Sequence, residues 1–349
     1  MNINSLLLDE IGSHLYDYDC YSYEIEHFLT GGAPFLDRQT EAVDIIERIM
    51  TAHGKKELLR HVAELARVEH GIRELEPWVR DHVVHALLSF ILGIYINEKF
   101  LRPKLPNPVN DFQWKLAGLL HDVGYPAEFA KDILKPFSAK INEIKRDLGV
   151  VAPDVHFKVV PVGLDRLTNG VNAFDLIQDR LDQWELQIDV RDEYNRMIHS
   201  GDICHGMISS LAVLYVIDLM YQKNNPKRKH KDIRALNRNI SWNQTYFEKD
   251  VVASCSAIYL HNLPSRCFAS AKIDRSKAPI AFLLKLSDCL QDWERPSLTD
   301  PHGLPATQFK IEVDHSGQLV FHADIPDSRK EKINYEILSA LHAPDVQVC

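Results

Sequence analysis

Five polar positions lie within or at the edge of strongly apolar runs, where polar side chains are least expected. They are His85 in WVRDHVVHALLSFILGIYI, the pair His121 and Asp122 in WKLAGLLHDVGYP, His205 in DICHGMISSLAVLYVIDLM, His261 in VVASCSAIYLHNLP and Asp288 in PIAFLLKLSDCLQDW. Burying one polar side chain without a partner costs about 2–7 kcal/mol, and an unpaired carboxylate costs more. Repeating that cost on five separate segments favours one shared partner. Imidazoles and carboxylates together are ligands of divalent metals.

The set of donor groups is too large for a single structural metal ion. Four imidazoles and two carboxylates are present, whereas a structural tetrahedral site uses four protein ligands. Two ions that share a bridging carboxylate would use all six groups and keep open positions for water. The sequence therefore predicts two divalent metal ions. These ligand types leave their identity open among Fe, Mn, Ni, Co, Zn and Mg.

Other polar residues compete for these roles. His82 lies one turn before His85 on nearly the same helix face, and His199 is an alternative to His205. The acid that would protonate a leaving group stays open among His82, His199 and Lys285. Each of the three has an ordinary alternative role, as one member of a structural ion pair or hydrogen bond.

Helices must bring these residues together. Residues 1–77 interleave apolar and charged residues at three- and four-residue steps, which predicts amphipathic helices. The run from Pro77 to Ile96 is apolar nearly all round, which is typical of a buried central helix. Further helices are predicted around 129–148, 174–187, 206–221, 248–261 and 279–294.

The helix that leads to the His-Asp pair follows a Pro-rich break, RPKLPNPVND. Asp111 is its predicted N-cap, since a short carboxylate there accepts hydrogen bonds from free backbone N–H groups. Its predicted end is Gly124, with Pro126 just beyond as a stop signal.

The C-terminal part has a different pattern. QFKIEVDHSGQLVFHADI alternates apolar and polar residues about Asp314-His315-Ser316-Gly317, which predicts a β-hairpin. An amphipathic helix is predicted at about 328–341. The expected fold is mainly α: a helical bundle with a small C-terminal β-hairpin appendage.

Composition sets limits on the environment and the partners. The 349 residues are 45% hydrophobic and 26% charged, with a net charge of −9, so the surface as a whole is not that of a generic nucleic-acid binder. Six cysteines without regular spacing indicate reduced thiols. Apolar stretches such as Val83–Ile96 are shorter than the ~20 residues that span a bilayer. A cytoplasmic location without membrane contact is therefore expected.

The order His…His-Asp…His…His…Asp resembles the HD superfamily of metal-dependent phosphohydrolases. The matching segments are HALLS, LLHDVGYP, HGMISS, LHN and LKLSDCLQDW, which together span about 78–295. The resemblance implies a helical catalytic domain at 78–295, with 1–77 as a helical flank and 296–349 as a hairpin plus helix.

The resemblance also implies how the ligands are shared. One ion would be held by His85, His121, Asp122 and Asp288. Asp122 would bridge to a second ion, which would be bound by His205 and His261. A hydroxide between the ions would attack the phosphorus of a small phosphorylated substrate, and a nucleotide is the expected one. Asp122, His82 and Lys285 are the residues expected to contribute to catalysis.

This sequence departs from the family pattern in three places. The letters GYP at 124–126 fall far upstream of the tripeptide of the HD-GYP subgroup, so membership of that subgroup is not expected. The long gap from Asp122 to His205 makes 127–200 an expected insertion that shapes the pocket. Cys204 stands where an acid next to the third-motif histidine is expected, so a partner for His205 is predicted to be missing.

Two other functions stay open. A regulatory module could bind a nucleotide or a partner protein through the same fold with little turnover. A single-strand nuclease of the same chemistry would be guided by the basic run KRKHK at 227–231, although the acidic total charge counts against it. The oligomeric state is not determined by the sequence.

Overall fold

The computed structural model describes residues 3–14, 22–31, 35–52, 62–68, 81–154, 163–167, 170–202, 204–223, 247–293 and 309–349. Within these ranges the protein is mostly helical, with a few short strands near the C-terminus. The predicted fold class, mainly α with a small β appendage, is confirmed. The basic run at 227–231 lies outside the described residues.

The N-terminal helices are α1 (Ile3–Ile11), α2 (Ser22–Thr30), α3 (Phe35–Ala52) and a short α4 at 62–68. The central part contains α5 (His82–Ile96), α6 (Asp111–Leu120), α7 (Tyr125–Asp147), α8 (Ala173–Gln183), α9 (Val190–Ser200) and α10 (His205–Lys223). After it come α11 (Ala253–His261), α12 (Pro279–Leu290) and α13 (Asp327–Ala340). The predicted helices are present, and α9 was not anticipated.

Helix α5 is the centre of the bundle. All 15 of its residues are buried, and the Asp81 carboxylate caps its start by accepting a hydrogen bond from the Val84 N–H. A π-helical turn, Asn97–Leu101, extends it. By length and composition the run His82–Leu101 could cross a membrane, but 89% of its 18-residue apolar window is buried inside the protein. Such burial is typical of a core helix. The run of 20 residues is longer than the apolar stretch Val83–Ile96 that the sequence pattern indicated.

The core helices pack around α5 in a way that brings distant segments together. Helices α6 and α12 pack on α5, α11 packs on both α6 and α12, and α10 packs on α11. Helix α7 lies against α10, and α13 lies against α12. The ends of α6, α10 and α11 therefore meet the sides of α5 and α12 in one interior.

Two predicted boundaries around α6 were wrong. Its N-cap is Asn110, whose side-chain oxygen accepts from the Gln113 N–H at 2.9 Å, and Asp111 is the first helical residue. The helix ends at Leu120, and residues 121–124 form a turn. Pro126 does not follow a stop: it lies in the first turn of α7, where proline is tolerated because its missing N–H would be unpaired there anyway.

The C-terminal hairpin is confirmed. Strands β2 (Phe309–Val313) and β3 (Leu319–Ala323) are antiparallel, with Phe309 opposite Ala323. Gly317 closes their turn with φ +81°, a conformation that glycine adopts without strain. A third strand, β5 (Val346–Val348), adds in parallel to β3. The two-residue strands β1 (Ile273–Asp274) and β4 (Leu341–His342) also pair in parallel, so the C-terminal part is joined to the helical core.

The domain boundaries at 77 and 295 stay predictions, because 69–80 and 294–308 lie outside the described residues.

Asp345 links the C-terminal part to the helical core. Its carboxylate accepts hydrogen bonds from Arg275 and Lys104. Burial alone would raise the pKa of Asp345, but these two cations lower it below 3.8. A lowered pKa stabilises the fold above the unfolded-state value, and the contribution is lost as the pH falls through the folded-state value.

We therefore expect Asp345→Asn to lower the free energy of unfolding by roughly 1.5–3 kcal/mol at pH 7, the range for hydrogen bonds to charged groups. The difference from the parent protein should shrink as the pH falls below 3.8. Urea denaturation at pH 7 and pH 3 measures both values, with the exposed Asp324→Asn as control. Equal differences at the two pH values would contradict the role of this carboxylate.

Candidate metal centre

Six side chains from five segments meet in one interior. His85 lies on α5, the pair His121 and Asp122 lies in the turn after α6, and His205 is the first residue of α10. His261 is the last residue of α11, and Asp288 lies in the last turn of α12. All six sequence-predicted ligands are therefore brought together. Four of them are buried, and His205 and Asp288 are partly exposed.

The Asp122 carboxylate lies at the centre of the cluster. Its Oδ1 is 3.1 Å from His205 Nε2 and 3.5 Å from His261 Nε2. Its Oδ2 is 3.5 Å from His121 Nε2 and 4.0 Å from His85 Nε2. Each carboxylate oxygen thus faces its own pair of imidazoles, which is the arrangement of a bridging ligand. The second carboxylate, Asp288, lies with Oδ1 2.9 Å from His85 Nε2.

The four imidazoles are hydrogen-bonded in the same way. In each ring Nδ1 faces an oxygen that can accept its proton, and Nε2 faces the cluster. The acceptors are Gly118 O at 3.0 Å for His121, Ile258 O at 2.6 Å for His261, Glu128 Oε2 at 2.7 Å for His205, and Gln291 Oε1 for His85. A proton on Nδ1 leaves the Nε2 lone pair free for a metal, and such hydrogen bonds fix both the tautomer and the ring angle.

Glu128 supplies the acid that the sequence analysis expected beside His205. It lies in the first turn of α7 and also accepts the His205 backbone N–H at 2.9 Å. The expectation that this partner is missing was therefore wrong, because the acid comes from a different helix. Cys204 is buried, and its thiol donates to Asn262 O at 3.3 Å. In the sequence Glu128 looks like any acid in the first turn of a helix, so no signal marks it.

Gln291 was also missed. Its amide Nε2 donates to Trp293 O at 2.8 Å, so its Oε1 is left to accept from His85. Gln291 follows Asp288 by three residues in the run LSDCLQDW, and it is 1% exposed. A buried amide so near a proposed ligand was the available signal.

Two glycines allow the helix ends to approach each other. A Cβ at Gly206 would lie 2.8 Å from the His261 ring and 2.9 Å from Ile258 O. A Cβ at Gly124 would lie 2.5 Å from the Ser209 backbone nitrogen. A side chain at position 124 would separate the turn after α6 from α10, and a side chain at position 206 would separate α10 from α11. Glycine is needed here for close backbone contact.

The two carboxylates are charged at neutral pH. Burial would raise the pKa of Asp122, but the adjacent rings of His121, His205 and His261 hold it well below its usual range. Burial also opposes the shift at Asp288, yet the adjacent His85 ring lowers its pKa. Metals bind the deprotonated carboxylate, so both groups are in the form that a cation needs.

The arrangement fits a metal better than a proton network. The ligand atoms of His85, His121 and Asp122 lie within 4.8 Å of one another, as do those of Asp122, His205 and His261. His121 Nε2 is buried and has no hydrogen-bond partner among the described residues. A buried imidazole nitrogen with its lone pair directed at a carboxylate is unfavourable unless a cation lies between them. The cluster can therefore hold metal.

The remaining candidate residues are divided between the site and the surface. His82 and Lys285 are buried and line the same cavity as the cluster. The His82 ring stacks on Tyr125 at a centroid distance of 3.6 Å. His199 instead lies on the exposed side of α9, with Nδ1 2.6 Å from Asn195 O, and does not line that cavity. The structure thus places His82 and Lys285, and not His199, beside the cluster.

The cluster opens into a cavity of about 360 Å³. This volume is near the lower end of small-molecule sites, which run from roughly 300 to 1,000 Å³. His85, Asp122, His205 and Asp288 line it, and so do seven residues of α13. A ligand in this cavity would contact the metal ligands directly.

Comparisons of the chain with family models, with curated proteins and with solved structures gave no match. The chemistry of the site therefore rests on the arrangement of its own side chains, which is compatible with an HD-type metal centre.

Glu128→Gln should weaken metal binding at the His205 side of the cluster by about 10–100-fold, the usual effect of removing such a supporting carboxylate. The amide lacks the negative charge by which Glu128 raises the basicity of the imidazole. Titration of the metal-free protein with Mn²⁺ measures this effect. Glu143→Gln, an exposed change on the same helix, is the control. Equal Mn²⁺ affinity in both variants would remove Glu128 from the site.

Gly206→Ala should displace the His261 ring and reduce the bound metal, while most of the fold is kept. Elemental analysis and thermal unfolding measure the two effects separately. Ala212→Gly, which weakens the same helix far from the ring, should lower thermal stability and keep the metal. If Gly206→Ala retains its full metal content, the close contact is not needed for the site.

Proposed function

We propose that this protein is a metal-dependent phosphohydrolase or phosphodiesterase that acts on a nucleotide or a related phosphate ester. One observation carries the proposal: the two oxygens of Asp122 face two separate pairs of imidazoles, with Oδ1 3.1 Å from His205 and Oδ2 3.5 Å from His121. A carboxylate between two such pairs suits two cations held close together, which is the requirement of two-metal hydrolysis.

The six clustered side chains would be shared between two metal ions. His85, His121, Asp122 and Asp288 would hold one divalent ion, and Asp122, His205 and His261 the other. When bound, such ions neutralise charge that develops on phosphoryl oxygens and lower the pKa of water. Glu128 and Gln291 orient His205 and His85 through their Nδ1 hydrogens, so the ligand geometry is set before any substrate enters.

Lys285 and His82 would contact the substrate. Both side chains line the cavity beside Asp288 and His85. Burial favours the neutral amine, but Cys289, Asp288 and Glu336 raise the pKa of Lys285, so it stays an ammonium ion at neutral pH. A permanent ammonium suits binding of a phosphoryl oxygen better than proton donation near pH 7. His82, stacked on Tyr125, is then the better candidate for the acid that protonates the leaving group.

The size of the cavity supports a small substrate. A volume of about 360 Å³ accommodates a metabolite or a single nucleotide rather than a polymer. With the net charge of −9, this argues for a small-molecule enzyme over the nuclease alternative. The complete set of ligands argues against a regulatory module without turnover.

Asp122→Asn should abolish the shared ligand while keeping the side-chain shape. We expect loss of bound metal and a fall in hydrolysis of more than about 100-fold, since removing a supporting residue alone costs 10–100-fold. Elemental analysis and phosphate release from p-nitrophenyl phosphate and a panel of nucleotides, with each metal added back, measure both. The exposed Asp147→Asn is the control. Full metal content and activity in Asp122→Asn would overturn the proposal.

The same assays separate the alternatives. Metal binding without phosphate release from any ester would favour the regulatory module. Cleavage of single-stranded DNA with a steep salt dependence would favour the nuclease.

A further inference from the structure

Helix α13 lies outside the part of the chain that resembles a phosphohydrolase, yet it forms a wall of the cavity. Arg329, Lys332, Tyr335 and Glu336 all line this cavity. The helix is held in place by its buried Ile333 and Ile337 and by its packing on α12. Its polar face is therefore presented to the same space that the metal cluster opens into.

The position of α13 is coupled to the cluster through the residues after α12. Arg329 forms an ion pair with the Asp292 carboxylate and donates to the Asp292 carbonyl at 3.1 Å. Asp292 directly follows Gln291, which orients His85. The cationic face of α13 thus has a fixed location relative to the metal ligands.

Three cationic side chains line the cavity, one from α12 and two from α13. Lys285 of α12 interacts with Asp288 of the cluster and with Glu336 of α13. Arg329 and Lys332 are the two cations of α13. Asp292 is already paired with Arg329, and Glu336 is 3.8 Å from Lys332 in a partly exposed pair. Exposed pairs of this kind contribute about 0–1 kcal/mol, so an incoming anion can replace Glu336 as the partner of Lys332.

The cavity therefore offers two separate places for negative charge. One is the cluster, where cations would bind a phosphoryl group, and the other is the polar face of α13, where Lys332 provides an ammonium ion. Apart from the carboxylates of the cluster, the cavity is lined by two acids, Asp292 and Glu336, and by three cations, Lys285, Arg329 and Lys332. A substrate with only one phosphate would bind the cluster and leave Lys332 without a phosphate partner.

We propose that Lys332 on α13 forms a second anion subsite, and that the substrates are small molecules with a second phosphate group besides the one that is hydrolysed. This inference rests on the proposed function, since it takes the metal cluster as the first subsite. Arg329 is a positioning residue here, because its ion pair with Asp292 holds α13 in place. Glu336 acts as the internal partner that the second phosphate displaces.

The test uses the Mn²⁺-loaded chain of 349 residues and two probes that differ by one phosphate, fructose 1,6-bisphosphate and fructose 6-phosphate. Calorimetric titration should show that the bisphosphate binds about tenfold more tightly, as expected for one added hydrogen bond between charged groups. Lys332→Ala should remove this preference and leave the affinity for the monophosphate unchanged. Glu336→Gln should increase the preference.

Lys330→Ala is the matched control, because Lys330 lies on the same helix and does not line the cavity. It should keep the parent preference. Equal binding of the two probes by the parent protein, or the same result for Lys332→Ala and Lys330→Ala, would overturn the subsite. If the subsite is overturned but the protein still releases phosphate from p-nitrophenyl phosphate, the hydrolase proposal is unaffected. If the protein neither binds Mn²⁺ nor releases phosphate, both the subsite and the hydrolase proposal are wrong.

Discussion

The interior of this protein depends on one carboxylate shared between two pairs of imidazoles. Asp122 is 4% exposed, and burying its charge among apolar helices would be strongly unfavourable without compensation. The compensation comes from histidines on α5, α10 and α11 as well as from its own neighbour, His121. Five segments must therefore meet at one point. The helical packing around α5 is the arrangement that makes this meeting geometrically feasible.

Each of the four histidines in this cluster donates a hydrogen bond from Nδ1 to an acceptor that the fold holds in place. Two of the four imidazoles donate to helix carbonyls, Gly118 O and Ile258 O, so those rings are oriented by the helices that carry them. The other two donate to side chains, Glu128 and Gln291, which come from other parts of the chain. The ring orientation is thus set by the fold before a cation binds, which reduces the cost of ordering the site.

The C-terminal part completes the cavity. Its strand β4 pairs with β1 of the helical core, and Asp345 joins it to Arg275 and Lys104. As a result α13 is held against the cavity, and its charged face contributes to the lining. The clustered side chains that could hold metal and the remaining wall of the cavity thus come from regions of the sequence with different patterns.

The sequence by itself determined the helical fold, the hairpin and the identity of the six clustered side chains, because a histidine or aspartate in an apolar helical run is costly without a partner. Only the tertiary structure decided that Glu128 supports His205, that Gln291 orients His85, and that α13 lines the cavity. These contacts join residues far apart in the chain, such as Glu128 and His205, whose sequence separation is 77. Local patterns carry no information about such distances, since they reflect which face of a helix is buried and not which neighbour buries it.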